Sequence, residues 1–381
     1  MDCLIIGAGL SGAVIARYLA EQCNKKVCIW ERRNHIGGNM FDYVDAHNIR
    51  VQKYGPHIFH TNEKSLFDFM QQFVEMTPFK LTYKTFMNGR YTNTPFNFNT
   101  IDTFYPPIQA ELLKNALKKY FSNKAEVSIL EMLKADELII KQYADFLFTN
   151  DYKPYTSKQW GISIDKIDSS ILSRVKVRFS YDDCFFNDIY QSIPKEGFST
   201  FFQNILNHPN ITVTIKKDGL KSMSIDEENN RVLVNGKNLE IPVVYTGALD
   251  ELFGMDAGIL PYRSLVFKWV YEINSDKQPA AVVAYPQEKF TRITEYKKLP
   301  IQDCVGTSYA IEYPASYNLS TGQEPYYPVL TEESKDLSDL YKQRANNIRN
   351  FYFCGRLADF EYYNIDQTLK RALEVCKQLK I

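Results

Sequence analysis

Asp2-Cys3-Leu4-Ile5-Ile6-Gly7-Ala8-Gly9-Leu10-Ser11-Gly12 decides how this chain folds. The apolar run ending at Gly7 reads as a short strand buried on both faces. Residues 11–22 follow with small and apolar side chains on one side, the pattern of a helix packed inward. Lys26-Val27-Cys28-Ile29-Trp30-Glu31 reads as a second buried strand. A strand, helix and strand in that order imply a parallel sheet. Gly7, Gly9 and Gly12 form GxGxxG in the context that gives this motif meaning. Gly7 permits the tight turn, Gly9 lets the backbone approach a pyrophosphate, and Gly12 allows close helix–strand packing. The helix N-terminus, with Leu10 and Ser11, offers free N–H groups to the phosphates. Glu31 ends the second strand about twenty residues on, where a carboxylate accepts hydrogen bonds from an adenosine ribose. Read alone, the fingerprint fits either of two dinucleotides, one with nicotinamide and one with flavin.

Outward from this start the pattern changes. Residues 108–150 carry helix formers with apolar spacing and read as a mainly helical insertion. Short strands return over 210–247. Residues 263–272, 280–285 and 290–296 read as further strands with antiparallel pairing. Phe351-Tyr352-Phe353-Cys354-Gly355 is one more buried strand, and 365–380 an amphipathic terminal helix, with Asn364 or Asp366 placed to cap it. The nucleotide-binding domain is therefore discontinuous, drawing on both ends of the chain.

Composition narrows the function. Lys plus Arg and Asp plus Glu are both 45, so a general affinity for nucleic acid or anionic membrane is not expected, and an anion site must be built locally. No apolar run is long enough for a membrane span, and no signal-peptide pattern opens the chain, which points to the cytoplasm. The seven cysteines contain no CxxC pair, so no metal site or disulfide framework is expected; Cys3, Cys28 and Cys354 read as buried thiols. The 26 Tyr and 25 Phe supply an aromatic core, and some of the tyrosines suit a pocket for a polar, ring-containing ligand.

Later blocks carry a family resemblance. Glu31-Arg32-Arg33-Asn34-His35-Ile36-Gly37-Gly38-Asn39 and Tyr54-Gly55-Pro56-His57-Ile58-Phe59-His60-Thr61 are similar to the UDP-galactopyranose mutases. So are Tyr155-Thr156-Ser157-Lys158-Gln159-Trp160-Gly161, Ser173-Arg174 through Arg178-Phe179, and Tyr190-Gln191-Ser192-Ile193-Pro194. Pro261-Tyr262-Arg263-Ser264-Leu265, Phe290-Thr291-Arg292-Ile293, Glu324-Pro325-Tyr326-Tyr327-Pro328, Gly355-Arg356-Leu357 and Glu361-Tyr362-Tyr363-Asn364 complete the series in family order. The resemblance implies a cytoplasmic homodimeric flavoprotein that serves cell-surface polysaccharide synthesis. It interconverts the six- and five-membered ring forms of a nucleotide-linked galactose without net redox change. The implied cofactor is FAD, active when reduced, whose N5 attacks the anomeric carbon. The implied fold is α/β: a Rossmann-like FAD-binding domain (1–78, 196–250 and 340–381), an inserted helical domain (108–178) and an antiparallel sheet domain (79–107, 179–195 and 251–339).

By the same resemblance, Arg174 and Arg292 clamp the diphosphate, with Arg263 a supporting cation. Guanidinium suits this task because it stays charged and forks onto phosphate oxygens. Tyr155 stacks on the nucleobase, Trp160 sits on a covering loop, and Tyr326 and Tyr362 hydrogen-bond the diphosphate. His60 contacts sugar or flavin. His57 lies on the opposite face if that segment is extended. Gly38, Asn39, Arg32, His57, Ile58, Arg356 and Ile365 join the fingerprint residues around FAD, with Ile365 at a helix end whose dipole favours an anionic flavin. The chain departs from the family at Phe185 and Phe198, each for a usual tyrosine, at Lys176 for a proline, and at Asn364 for an aspartate. These departures leave UDP-GalNAc or TDP-fucose open as substrates. An amine-oxidase-like flavoenzyme and a non-catalytic flavin-binding protein are the readings from other classes.

Overall fold

The structure is a computed structural model describing residues 1–379 except 167, 168, 174, 274, 275 and 319–321. Its organising element is a five-stranded sheet in the order Ile211–Ile215, Val27–Glu31, Cys3–Ile6, Val243–Tyr245 and Phe351–Phe353. Every neighbouring pair is parallel. The strands alternate their side chains between two cores. Cys3, Ile5, Val27 and Ile29 enter one apolar cluster, whereas Leu4, Ile6 and Trp30 enter the other. Both faces are thus covered, which is why these strands read as continuous apolar runs rather than alternating ones. The Leu10–Gln22 and Ile365–Gln378 helices pack together on the first face. Cys3 and Cys354 are buried as expected, but Cys28, on the second face, is only half-buried.

A second sheet of seven strands runs Tyr327–Pro328, Tyr262–Glu272, Thr307–Ser316, Arg292–Glu295, Val282–Ala284, Tyr83–Met87 and Arg90–Thr94. Its pairings are antiparallel except one: Val282–Ala284 runs parallel to Tyr83–Met87. These two strands come from segments far apart in sequence, so no hairpin dictates their direction. The helical region packs about its own cluster, which includes Leu113, Leu117, Met132, Tyr143 and Leu147. Phe96, Phe98 and Ile101 belong to that cluster too. The Phe98–Phe104 helix, capped by Asn97, docks its apolar face there. Among the described residues, no helix is long and apolar enough to cross a membrane.

Candidate functional site

The glycine fingerprint is built by sterics. Gly7 has φ +105°, and a Cβ there would lie 2.0 Å from the Thr246 hydroxyl oxygen. A Cβ on Gly12 would lie 2.0 Å from the Gly7 carbonyl oxygen, so helix and strand meet with no room for a side chain. Gly9 precedes the Leu10–Gln22 helix without any side-chain cap. The first helical hydrogen bond runs from Ala13 N–H to the Gly9 oxygen at 3.0 Å, which leaves the N–H groups before it without helical acceptors. Gly9 and Gly38 approach so closely that a Cβ on Gly38 would be 3.0 Å from the Gly9 Cα. Glu31 is buried and accepts from Ala8 N–H at 2.7 Å and Arg33 N–H at 2.8 Å, which fixes its carboxylate at the end of the strand.

A groove of about 210 Å³ opens at the carboxyl ends of the parallel strands, where ligands of such sheets bind. Gly7, Gly9, Leu10, Ser11, Glu31, Arg32, Gly38, Asn39, His57, Arg356 and Ile365 line it. Gly12 lies behind it, under the helix. The residues present fit a dinucleotide on three counts. A glycine-walled cleft excludes side chains, an uncapped 13-residue helix aims its N-terminus at it, and a buried carboxylate closes the far end. Lining residues missed in the sequence include Thr246, Gly247 and Gly355, which follow strands of the same sheet. Their position at strand carboxyl ends was the available signal.

A second cavity of about 490 Å³, the size of a small-molecule site, adjoins the first. It shares Asn39, His57, Arg356 and Ile365 with the groove. Tyr155, Trp160, Phe185, Arg292, Tyr326, Tyr362, Asn364, Ile58 and His60 also line it. Arg292 donates from Nε to Glu312 at 2.7 Å, and Glu312 is 1% exposed. Burial opposes the charge on Arg292, but Glu312 outweighs it and holds the guanidinium ionised. Arg356 donates to the Tyr363 carbonyl at 2.5 Å and the Tyr326 carbonyl at 3.3 Å, so it ties together the two tyrosine-bearing segments. Tyr327 and Tyr362 stack with centroids 5.3 Å apart, and Trp160 packs on both. Asn364 caps the Ile365–Gln378 helix through a capping box with Gln367.

His57 and His60 both face this cavity, which corrects the expectation of opposite faces. The strand begins only at Phe59, so alternation does not extend back to His57. His60 Nδ1 lies 2.8 Å from Asp188 and its ring stacks on Phe186. His57 Nδ1 lies 2.8 Å from the Gly55 carbonyl oxygen, which only accepts, so Nδ1 carries the proton. Burial, then the nearby Arg356, lowers His57 to about 4.

Arg263 does not line the cavity. It stands behind the end of the Lys153–Trp160 helix, donating to the Gln159 carbonyl at 3.0 Å and the Ser316 hydroxyl at 3.1 Å. Long-range pairing of its strand with Thr307–Ser316 turns it there. Arg174 lies outside the described residues. Cavity residues that sequence reasoning missed include Tyr83, Thr85, Thr94 and Asp151, which carry no motif, and Arg178, which closes a family block but was given no role.

The model of the UDP-galactopyranose mutase family matches residues 150–362, and that of the NAD(P)-binding Rossmann-like domain matches 5–73. The chain is 35% identical to a dTDP-fucopyranose mutase of Escherichia coli over 99% of this chain and 98% of that one. It is 34% identical to a UDP-galactopyranose mutase of Mycoplasma genitalium, covering 99% and 94%. A crystal structure of reduced UDP-galactopyranose mutase superimposes with a TM-score of 0.74 at 17% identity, covering 99% and 95%.

Proposed function

The chain belongs to the UDP-galactopyranose mutase family, and on that premise we propose that it interconverts UDP-galactopyranose and UDP-galactofuranose with FAD as its cofactor. One observation carries the reading. A glycine-walled groove fit for a dinucleotide meets a cavity holding Arg292 and several tyrosines, and the two share Asn39, His57, Arg356 and Ile365.

When bound and reduced, FAD supplies a nucleophilic nitrogen to the anomeric carbon of the sugar. The protein then has to hold the FAD, orient the sugar and carry the charge that appears as the diphosphate leaves. The uncapped helix N-terminus and the glycine cleft hold the pyrophosphate of FAD, with Glu31 and Arg32 toward its adenosine end. Arg292, kept ionised by Glu312, meets the diphosphate of the substrate, and Arg174 is its proposed partner. Tyr326 and Tyr362 add hydroxyl donors, and Tyr155 stacks on the base. Neutral His57 presents an unprotonated Nε2, and His60, oriented by Asp188, is placed to hydrogen-bond a sugar hydroxyl. Trp160 and its aromatic neighbours shield the reacting carbon from water. The division of labour follows the three domains named above. Homodimerisation and a cytoplasmic location belong to the same proposal.

The 35% identity to a dTDP-fucopyranose mutase favours a second reading, in which the sugar is a 6-deoxygalactose on dTDP. Incubation of dithionite-reduced protein with UDP-galactose, UDP-GalNAc and dTDP-fucopyranose, followed by chromatography, separates the readings. A furanose product from UDP-galactose supports the first, and one from dTDP-fucopyranose alone supports the second. No furanose product from any of them, with hydrogen peroxide released from an amine, overturns both.

A further inference from the structure

The junction between two helices of the inserted body is a π-helical turn, Phe148–Tyr152. Such turns are strained relative to the α-helix and recur at functional sites. Here the turn carries Asp151 into the wall of the larger cavity, one helical turn before Tyr155 on the same wall. A carboxyl group in that position has no role in the charge stabilisation assigned to Arg292, and its sign is wrong for a diphosphate. The hydroxyl of Thr85, which opposes the rise in the Asp151 pKa, is itself 2.6 Å from the Thr94 hydroxyl. Thr85, Thr94 and Phe96 line the cavity around it, and Tyr83 stacks on Phe185 with centroids 4.9 Å apart. This end of the cavity is therefore flat-sided, aromatic and tipped by one carboxyl and two hydroxyls.

We propose that the Asp151 carboxyl pairs with the imide edge of a pyrimidine base, uracil or thymine, and so sets which nucleotide this cavity accepts. The proposal rests on the reading of the cavity as a nucleotide-sugar site. Hydrogen-bond chemistry selects the base. An uncharged carboxyl offers a donor and an acceptor side by side, which matches the adjacent C=O and N3–H of an imide. An ionised carboxylate only accepts and matches a guanine edge with two N–H donors. Burial pushes Asp151 up to about 7, against the pull of Lys158 and Thr85, so the uncharged form persists into the neutral range. Lys158 does not pair with it directly. Its ammonium donates to the carbonyls of Tyr285, Pro286, Glu288 and Phe290, at 2.7 to 3.1 Å. Among the described residues, the other charged or titratable groups on this cavity are Tyr152 and Tyr155 on the same helical stretch, Tyr83, Arg292 and Tyr327 on the large sheet with Tyr326 beside it, Glu126, Lys176 and Arg178 on and beside the Glu126–Val127 pair of strands, and Tyr54, His57, His60, Arg356 and Tyr362.

The test is calorimetric binding of UDP-galactose, and of its analogue methylated at uracil N3, to the oxidised holoenzyme at pH 6 and pH 8. The diphosphate diester does not titrate between those values, so a change reports on the protein. Wild type is expected to bind UDP-galactose about tenfold more tightly at pH 6 than at pH 8, and to lose about tenfold on N3 methylation. D151N keeps a donor and an acceptor without a titrating proton, so it should bind at both pH values as wild type does at pH 6. D151L should lose about tenfold at both, with unchanged FAD content. The proposal fails if D151L or the methylated analogue binds like the parent, or if D151N binds as weakly as D151L. If wild type binds neither UDP-galactose nor a dTDP-sugar, the nucleotide-sugar reading itself falls, which is a different result from the loss of Asp151's role alone.

Discussion

At the scale of single residues, Arg292 bears the most. Glu312 fixes one edge of its guanidinium and the chain gives it no other described hydrogen bond. Its loss should affect the step in which diphosphate charge develops, rather than the fold. Arg292→Ala is expected to cut turnover of reduced enzyme by about a hundredfold or more, the scale of a lost transition-state contact, while the flavin absorbance of the purified protein stays as in wild type. The same loss is expected for Arg174→Ala. Turnover within threefold of wild type would take either arginine out of the clamp. His57 makes a different prediction. Its folded value, about 4, lies below the roughly 6.5 of an unfolded histidine. Between those values the unfolded chain binds a proton that the folded protein refuses, so the stabilisation present at neutral pH is lost as the pH falls through this window. His57→Gln should therefore lose less Tm than wild type between pH 7 and pH 4.5. Parallel melting curves for the two proteins would contradict the depressed imidazole.

At the scale of elements, the joint between the Cys3–Ile6 strand and the Leu10–Gln22 helix is set by what is missing from it. Gly12→Ala places a Cβ 2.0 Å from a backbone oxygen that has nowhere to move without opening the turn at Gly7. Purified Gly12→Ala protein is expected to carry little flavin and to melt lower than wild type, read from its visible spectrum and thermal unfolding. A fully loaded variant with normal Tm would show that the joint has slack. At the other end of the chain, Asn364 closes the capping box of the Ile365–Gln378 helix, whose first residue lines both cavities. Asn364→Ala should cost about 1 kcal/mol in urea unfolding of the holoenzyme. A family-like aspartate at 364 would cap equally well and add a charge at the positive end of the helix dipole, so Asn364→Asp should match or exceed wild-type stability.

For the whole molecule, the groove is assembled from both ends of the chain. Gly7 and Gly9 come from the first strand and helix, Thr246 from the middle, and Gly355 and Ile365 from the last strand and helix. A ligand there touches every strand connection of the parallel sheet at once, and it can bind the folded state only. By mass action, free FAD at about a hundred times its Kd adds about 2.7 kcal/mol to the folded state. Stripping the flavin is therefore expected to lower Tm, and adding FAD back to raise it in a concentration-dependent way. An apoprotein that melts with the holoenzyme would mean that this groove is not where FAD binds.

Some of this was determined by the sequence alone. The strand, glycine turn, helix and strand of residues 3–31 follow from rules that act within a few residues: apolar runs, backbone sterics at Gly7 and Gly12, and helix-end polarity. Blocks such as Tyr155-Thr156-Ser157-Lys158-Gln159-Trp160-Gly161 were equally legible, because they are contiguous. Tertiary structure decided the rest. It turned Arg263 behind a helix end and brought His57 and His60 to one cavity. It paired Val282–Ala284 in parallel with Tyr83–Met87, and set Asp151 and Thr85 in the wall of one cavity. Each of these outcomes depends on which distant segments pack together. A side chain's direction is local, but what stands opposite it is fixed only when the sheets and the helical body close around the cavity.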